Sequence, residues 1–312
     1  MTAAALAELE LAVPRRARTA MLSNAKVVAG LAILAAFALL IVAQPLLEAS
    51  LWSGRMNVYD PQFGFDTGIA HPSAPSLAHW LGTSSLGRDV FSMLAYATRP
   101  TLAVAVSAAL AIAAVSLVLG AVAAVREGWV DGVVTHLSDA MVLLPPLLAV
   151  YILGIWRPSD EFGSLQVGFS FGLLYGLGPA TGTVRAAAQA VVVRPFMDAA
   201  RVAGGSDTWL VTRHVMPHLY AHAAVQAMIG ATGAVITDAF LGYRSAIGGS
   251  VGFGMMVYDG IVWSELMAGV AAIPWWIMLA GAGGITLLAA AFYLLGVGLR
   301  EALDPRARSV LR

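Results

Sequence analysis

The chain has no cysteine. That excludes disulfides, thiolate metal sites and a thiol nucleophile, and it leaves the compartment open, because redox chemistry says nothing here. It has one lysine among its 312 residues, Lys26, preceded by Ala25. A phosphate-cradling loop needs Gly-Lys, so the chain cannot be an ordinary P-loop ATPase, and an ATP-driven process would need another chain to bind the nucleotide. Charge is scarce. Only 12% of residues are charged, against roughly 25% in soluble domains. Basic and acidic residues are equal at 18 each, so net charge points to no partner and favours no nucleic acid. No His-Glu-x-x-His, catalytic triad or paired carboxylate occurs at a spacing that suggests catalysis.

What remains is apolar. Hydrophobic residues make up 59% of the chain and the mean hydropathy is +0.79. Residues 1–26 form a polar segment closed by Arg15, Arg16, Arg18 and Lys26. A first transmembrane helix is predicted over 27–47. Its apolar run is too long for a secretory signal, and its only small-x-small site lies inside it. Residues 48–100 read as an extracytoplasmic loop, with Pro61, Pro72 and Pro75 among glycines. Residues 101–300 form a five-helix core. Its spans are predicted at 101–125, 133–155, 162–184, 219–240 and from Pro274 onward. Pro145-Pro146 should kink or break the second of these. Residues 241–265 read as a Gly-rich loop, and 301–312 as a cytoplasmic tail. With the N-terminus inside, thirteen basic residues fall on the cytoplasmic side and five outside, the asymmetry of the positive-inside rule.

Four sets of polar residues stand out. Asp238 lies near the outer end of the fifth span and is a possible pore-lining acid, with an interfacial position as the alternative. Asp139 reads as a boundary residue that caps or pairs. His214, His218 and His222 share a helical face, but no carboxylate joins them and Pro217 should interrupt the helix, so no metal site is expected. Gly248-Gly249-Ser250-Val251-Gly252-Phe253-Gly254 follows no strand pattern and is rejected as a phosphate loop.

The segment 194–205 is a short helix between spans. Pro195 suits a first helical position. Asp198 complements the positive end of the helix dipole. Phe196, Ala199, Ala200 and Ala203 recur on one apolar face, and Gly204-Gly205 stop the helix. With basic flanks at Arg194 and Arg201, it reads as a docking or interfacial element, or as a solvated connector.

Asp198-Ala199-Ala200, then Gly204, then His214-Val215-Met216-Pro217, resembles the EAA motif of ABC-importer permeases, with Asp198 in place of the usual Glu. His79-Trp80-Leu81-Gly82-Thr83-Ser84-Ser85-Leu86-Gly87-Arg88-Asp89-Val90 resembles the HxLGTDxLGRDV signature of the C-type permease in dipeptide, oligopeptide and nickel importers, with Ser84 for Asp. Gly82, Thr83, Gly87, Arg88 and Asp89 carry that likeness. Gly128-Trp129-Val130-Asp131 and the closing Arg300-Glu301-Ala302-Leu303-Asp304-Pro305-Arg306 are also similar to the family. The resemblance implies an all-α integral membrane protein of the type I ABC importer permease fold, with six transmembrane helices. It implies a multi-pass bacterial plasma-membrane protein with both termini cytoplasmic. It further implies a homologous B-type permease, two ATPase subunits or domains and an extracytoplasmic substrate-binding protein as partners, beside membrane lipid. This chain would hold no cofactor, and ATP and Mg would sit in the ATPases. Arg194, Pro195, Phe196, Asp198, Ala199, Ala200, Arg201, Gly204, His214 and Pro217 would form the ATPase-coupling segment. The solute would be a peptide, with nickel or another small solute as the alternative. A proton-coupled secondary transporter working through Asp238 and Asp139, and a membrane scaffold, are the readings from other classes. The stretch 241–265 departs from the family and weakens any transfer of substrate there.

Overall fold

A computed structural model describes residues 24–50, 52–156, 163–244, 251–266 and 274–303. Most of the N-terminal segment (1–23), residues 157–162, residues 245–250 of the Gly-rich stretch, residues 267–273 and those from 304 on lie outside the described residues. Helices run in order α1 (Ala25–Ala49), α2 (Met56–Tyr59), α3 (Val90–Val125), α4 (Trp129–Leu143), α5 (Pro146–Trp156), α6 (Ser164–Tyr175), α7 (Thr181–Val192), α8 (Pro195–Val202), α9 (Asp207–Trp209), α10 (Met216–Arg244), α11 (Phe253–Leu266) and α12 (Trp275–Leu303). Among the described residues the nearest thing to a sheet is one isolated bridge, Thr83 to Asp89.

Four helical segments are long and apolar enough to cross a bilayer: α1, α3, the run from Asp207 to Arg244, and α12. The pair α4 and α5 can supply a fifth crossing, bent by 78° at the break between them. Pro145 and Pro146 are the cause. A proline inside a helix removes a backbone donor and clashes with the preceding turn. The expected span over 162–184 is α6 and α7 joined by a π-helical turn, Gly176–Ala180, broken at Gly178 with φ −90° and ψ −109°.

The boundaries differ from the sequence reading in three places. The second span begins at Val90, eleven residues before the predicted start at 101, because Asp89 caps it and Pro100 is carried inside. Pro217 does not interrupt a helix. A π-helical turn, Leu210–Val215, precedes it, and helix continues from Asp207 to Arg244. A π turn leaves room for a proline ring that a regular turn would crowd. Residues 253–266, expected as loop, form α11.

The bundle centre is built from small residues. Ala97, Val104, Ala105, Ala108 and Ile112 of α3 meet Ala227, Ala231, Ala234 and Val235 of α10, with Phe253, Ile277 and Leu288 closing the cluster. Gly172 and Gly176 lie against the α3 backbone at Ala108 and Ile112, where a Cβ would meet main-chain atoms at 2.7 and 3.3 Å. Without a hydrophobic force between helices in lipid, close backbone approach is the main source of packing energy. A second cluster sits at one end of the bundle: Ala121, Val125, Val184, Ala188, Met197, Ala200, Leu210, Val215 and Leu219. It is the socket for α8.

Candidate functional site

Helix α8 starts at Arg194 in the N-cap position, with Pro195 at N1 and Asp198 in the first turn. Its end is a Schellman arrangement. Gly205 N donates to Ala200 O at 3.1 Å, Gly204 N donates to Arg201 O at 3.0 Å, and Gly204 adopts φ +86°. A left-handed residue with no Cβ is what that geometry requires.

The helix has two faces, though not the two that apolar periodicity suggested. Met197, absent from the expected face, is fully buried, and Ala200 is 9% exposed. Phe196, Ala199 and Ala203 point outward instead. The inward pair fills the socket formed by this second cluster. The outward residues, with Asp198 and with Val202 at 90% exposure, form an exposed surface. Asp198 and Arg201 make an exposed i,i+3 pair at 3.5 Å, which contributes about 0–1 kcal/mol. They remain available to another protein.

Aromatic contacts hold α8 to the π-helical turn. Phe196 stacks on His218 at 5.9 Å and lies 6.2 Å from His214. Trp209 meets His214 edge-on at 4.5 Å. His218 Nδ1 is 2.8 Å from the His214 carbonyl oxygen. His214 Nε2 is buried without a hydrogen-bond partner among the described residues, while Pro217 and His222 are exposed. Among the described residues no three His, Cys, Asp or Glu converge as metal ligands. Arg126 and Asp207, 3.3 Å apart, tie the end of α3 to the start of α9. Met197, Trp209 and Asp207 were missed by the sequence reading. A methionine between alanines is a weak signal, and the Trp209 contact depends on a turn that the sequence does not announce.

The second site is the segment 79–90. Gly82 adopts φ +75°, and a Cβ there would meet the Ser73 carbonyl and the Trp276 ring at 2.5–2.9 Å. Thr83 is fully buried. Its Oγ1 accepts from Ser73 N at 2.8 Å, and its carbonyl accepts from Trp276 Nε1 at 3.2 Å. Ser84 N donates to Arg88 O at 2.8 Å, and Gly87 N to Ser84 O at 3.0 Å, which closes the turn. Arg88 and Asp89 are not a solvated pair. Asp89 Oδ2 accepts from Ser92 N at 2.8 Å and from Ser92 Oγ at 3.0 Å, capping α3. Its Oδ1 faces His79 Nδ1. Arg88 is partly buried, its Nη1 without a hydrogen-bond partner among the described residues, and burial depresses its pKa while Asp259 and Asp60 oppose that. Ser85 donates to Asp259 through its hydroxyl and, at 3.2 Å, through its backbone N–H. Asp259 escaped selection because its partner Ser85 lies 174 residues away; Asp66 escaped because no motif marks its contact with His79, 13 residues on.

The two acids that sit within apolar helices take opposite placements. Asp238, for which the sequence left a pore-lining or an interfacial position open, stands on the face of α10 that carries the fully buried Ala231, Ala234 and Val235. It accepts from Thr101 Oγ1 of α3 at 2.6 Å, so it is turned toward its own subunit. Asp139, expected to cap or pair, is exposed on α4.

Comparison with known proteins gives a consistent picture. The profile of the family described as "Binding-protein-dependent transport system inner membrane component" matches residues 116–309. The dipeptide transport system permease protein DppC of Alkalihalophilus pseudofirmus is 27% identical over 299 residues, covering 95% of this chain and 90% of that protein. The glutathione transport system permease protein GsiD of Pectobacterium atrosepticum is 28% identical over 268 residues, 85% and 84% of the two chains. The oligopeptide transport system permease protein OppC of Mycobacterium bovis is 28% identical over 243 residues, 76% and 79%.

Proposed function

Since the chain belongs to the family of binding-protein-dependent transport system inner membrane components, a permease component and not an enzyme, we propose that it carries peptides inward as the C-type subunit of an ABC importer. The outward face of α8 carries this reading. Phe196, Asp198, Ala199, Arg201 and Val202 are displayed on a helix that is rigidly seated through Met197 and Ala200. Such a surface suits a cleft on an ATPase subunit. Closure of two ATPases around ATP and Mg would move α8. The socket residues Val184, Leu210 and Val215 would pass that displacement to α7 and α10 as a rigid-body motion. Relatives named for dipeptide, glutathione and oligopeptide transport support a peptide as the solute.

The proposed partners are a B-type permease of related fold, two ATPase subunits or domains, and an extracytoplasmic binding protein that delivers the solute. The proposed setting is a bacterial inner membrane with both termini cytoplasmic. The basic residues Arg126, Arg194, Arg201 and Arg213 would then lie on the ATPase side. The test is reconstitution in proteoliposomes with those partners. Uptake of a labelled dipeptide should require ATP, the binding protein and this chain together. Uptake without the ATPase subunits, or none with the full set, would overturn the reading.

A further inference from the structure

Helix α4 leaves the cytoplasmic turn at Trp129 and packs antiparallel to α7 through two fixed rungs. Arg185 Nε and Nη2 donate to Asp131 Oδ1 and Oδ2, each at 2.5 Å. Two helical turns further along, Ser138 Oγ donates to Leu177 O at 2.8 Å, in the π-helical turn at the middle of the α6–α7 segment. Val134 and Ser138 form the buried edge of α4. On the opposite edge His136 and Asp139 are exposed. On α7, Gly182, Thr183 and Gln189 are exposed as well.

The depth of this stripe decides what can cover it. Asp139 is ten residues beyond Trp129, roughly 15 Å at the helical rise, or about half of a hydrocarbon core of about 30 Å. The Ser138–Leu177 bond gives the same depth independently, because Leu177 lies mid-segment and the neighbouring Gly176 abuts Ile112 in the middle of α3. An exposed carboxylate at that depth is expensive against lipid, and such residues face a bundle interior or a water-filled cavity. Among the described residues no cation forms an ion pair with Asp139. Arg185, the cation whose field reaches it, is already held by both oxygens of Asp131. Asp139 has no hydrogen-bond or ion-pair partner among the described residues. Asp238, by contrast, is engaged by Thr101.

We infer that the exposed polar residues His136 and Asp139 of α4 and Thr183 of α7 line the aqueous solute pathway, and that the Asp139 carboxylate meets the ammonium group of the passing solute. The inference rests on the importer reading and refines it: the solute presents a cationic amino group at mid-membrane, as a peptide with a free N-terminus does. A half-membrane-deep carboxylate with low-dielectric walls focuses its field on whatever enters beside it.

The natural absence of cysteine makes the test direct. His136→Cys, Thr183→Cys and, as the buried control, Val134→Cys are placed in the full complex in proteoliposomes, and labelling is read from the mass of this chain alone. ATP-driven dipeptide uptake is measured on the same preparations. Cysteines at 136 and 183 are expected to react with water-soluble methanethiosulfonates and to be protected by transported dipeptide, while the one at 134 stays unmodified. At His136→Cys the trimethylammonium reagent should outpace the sulfonate reagent by about tenfold or more, and adding Asp139→Asn should abolish that preference. No labelling at 136 and 183 in any nucleotide state, in complexes that still transport, overturns the pathway wall. Labelling at equal rates for both reagents overturns the ammonium contact. A complex with no ATP-driven uptake even in wild-type form overturns the importer reading itself, and the inference with it.

Discussion

His79 Nδ1 lies 2.8 Å from Asp89 Oδ1, and the other ring nitrogen lies 3.3 Å from Asp66 Oδ2. The imidazole is 1% exposed and rests against Tyr59. It therefore bridges the 66–68 turn to the cap of α3. With a carboxylate on each side, the charged ring donates at both nitrogens, a role the neutral ring cannot fill.

A pH dependence follows. The bond to Asp89 raises the pKa of His79 against the opposing effect of burial, and Asp66 adds to the rise. The folded state therefore binds the proton more tightly than the unfolded chain. Its stabilising share is fully present below about pH 6.5, the unfolded histidine value, and is lost as pH rises through the higher folded value. Asp66 behaves in the opposite sense. The Gly68 amide and His79 lower its pKa, so its share is lost in acid. Thermal unfolding of the solubilised protein should fall above pH 6.5, and His79→Asn should flatten that limb. An identical alkaline limb in the variant would refute the bridge. Asp89→Ala should cost about 3–5 kcal/mol, the effect of stripping one member from a buried ion pair.

The bond from Thr101 to Asp238 predicts a structural pattern. Thr101→Val leaves the acid without this donor and should cost about 1–3 kcal/mol. Asp238→Asn keeps an acceptor for the hydroxyl, so uptake should stay near the wild-type rate. Loss of uptake in Asp238→Asn at unchanged thermal stability would return this acid to the solute pathway.

At the coupling segment, Gly204→Ala forces a Cβ into φ +86° and should cost about 1–2 kcal/mol. Gly204→Pro also deletes the N–H that binds Arg201 O. Asp198→Lys sets a positive charge at the positive end of the α8 dipole, a change of about 0.3–1 kcal/mol. None of these is large enough to expel the bundle from a membrane. Gly204→Pro and Asp198→Lys should leave membrane content and binding-protein docking intact, uncouple ATPase activity from substrate and stop uptake. Wild-type uptake in both would reduce the segment to a connector.

The single lysine predicts a negative result. Lys26 pairs with Glu301, which joins the start of α1 to the end of α12, and it lies in no phosphate loop. The purified chain should neither bind nor hydrolyse ATP. Saturable hydrolysis by a preparation free of other subunits would contradict this.

The apolar runs, the charge asymmetry and the two motifs were legible because each depends on residues close in sequence. Periodicity, capping and turn chemistry are local properties. Pro195 and Gly204 could be assigned to the ends of α8 before any packing was known. What the sequence could not determine is which neighbour each face meets. Pro217 looked like a break, because its fit depends on a π-helical turn that the packing of α9 and α10 creates. Met197 looked incidental until a socket from α3, α7 and α10 closed over it. The two acids are the clearest case. Asp139 and Asp238 are both single carboxylates within apolar runs, and composition cannot rank them. Only the register of α4 against α7, and of α10 against α3, decided that Asp238 turns inward to Thr101 and Asp139 outward. A helix carries its side chains through a full circle every 3.6 residues, and burial of one arc is set by contacts from remote parts of the chain.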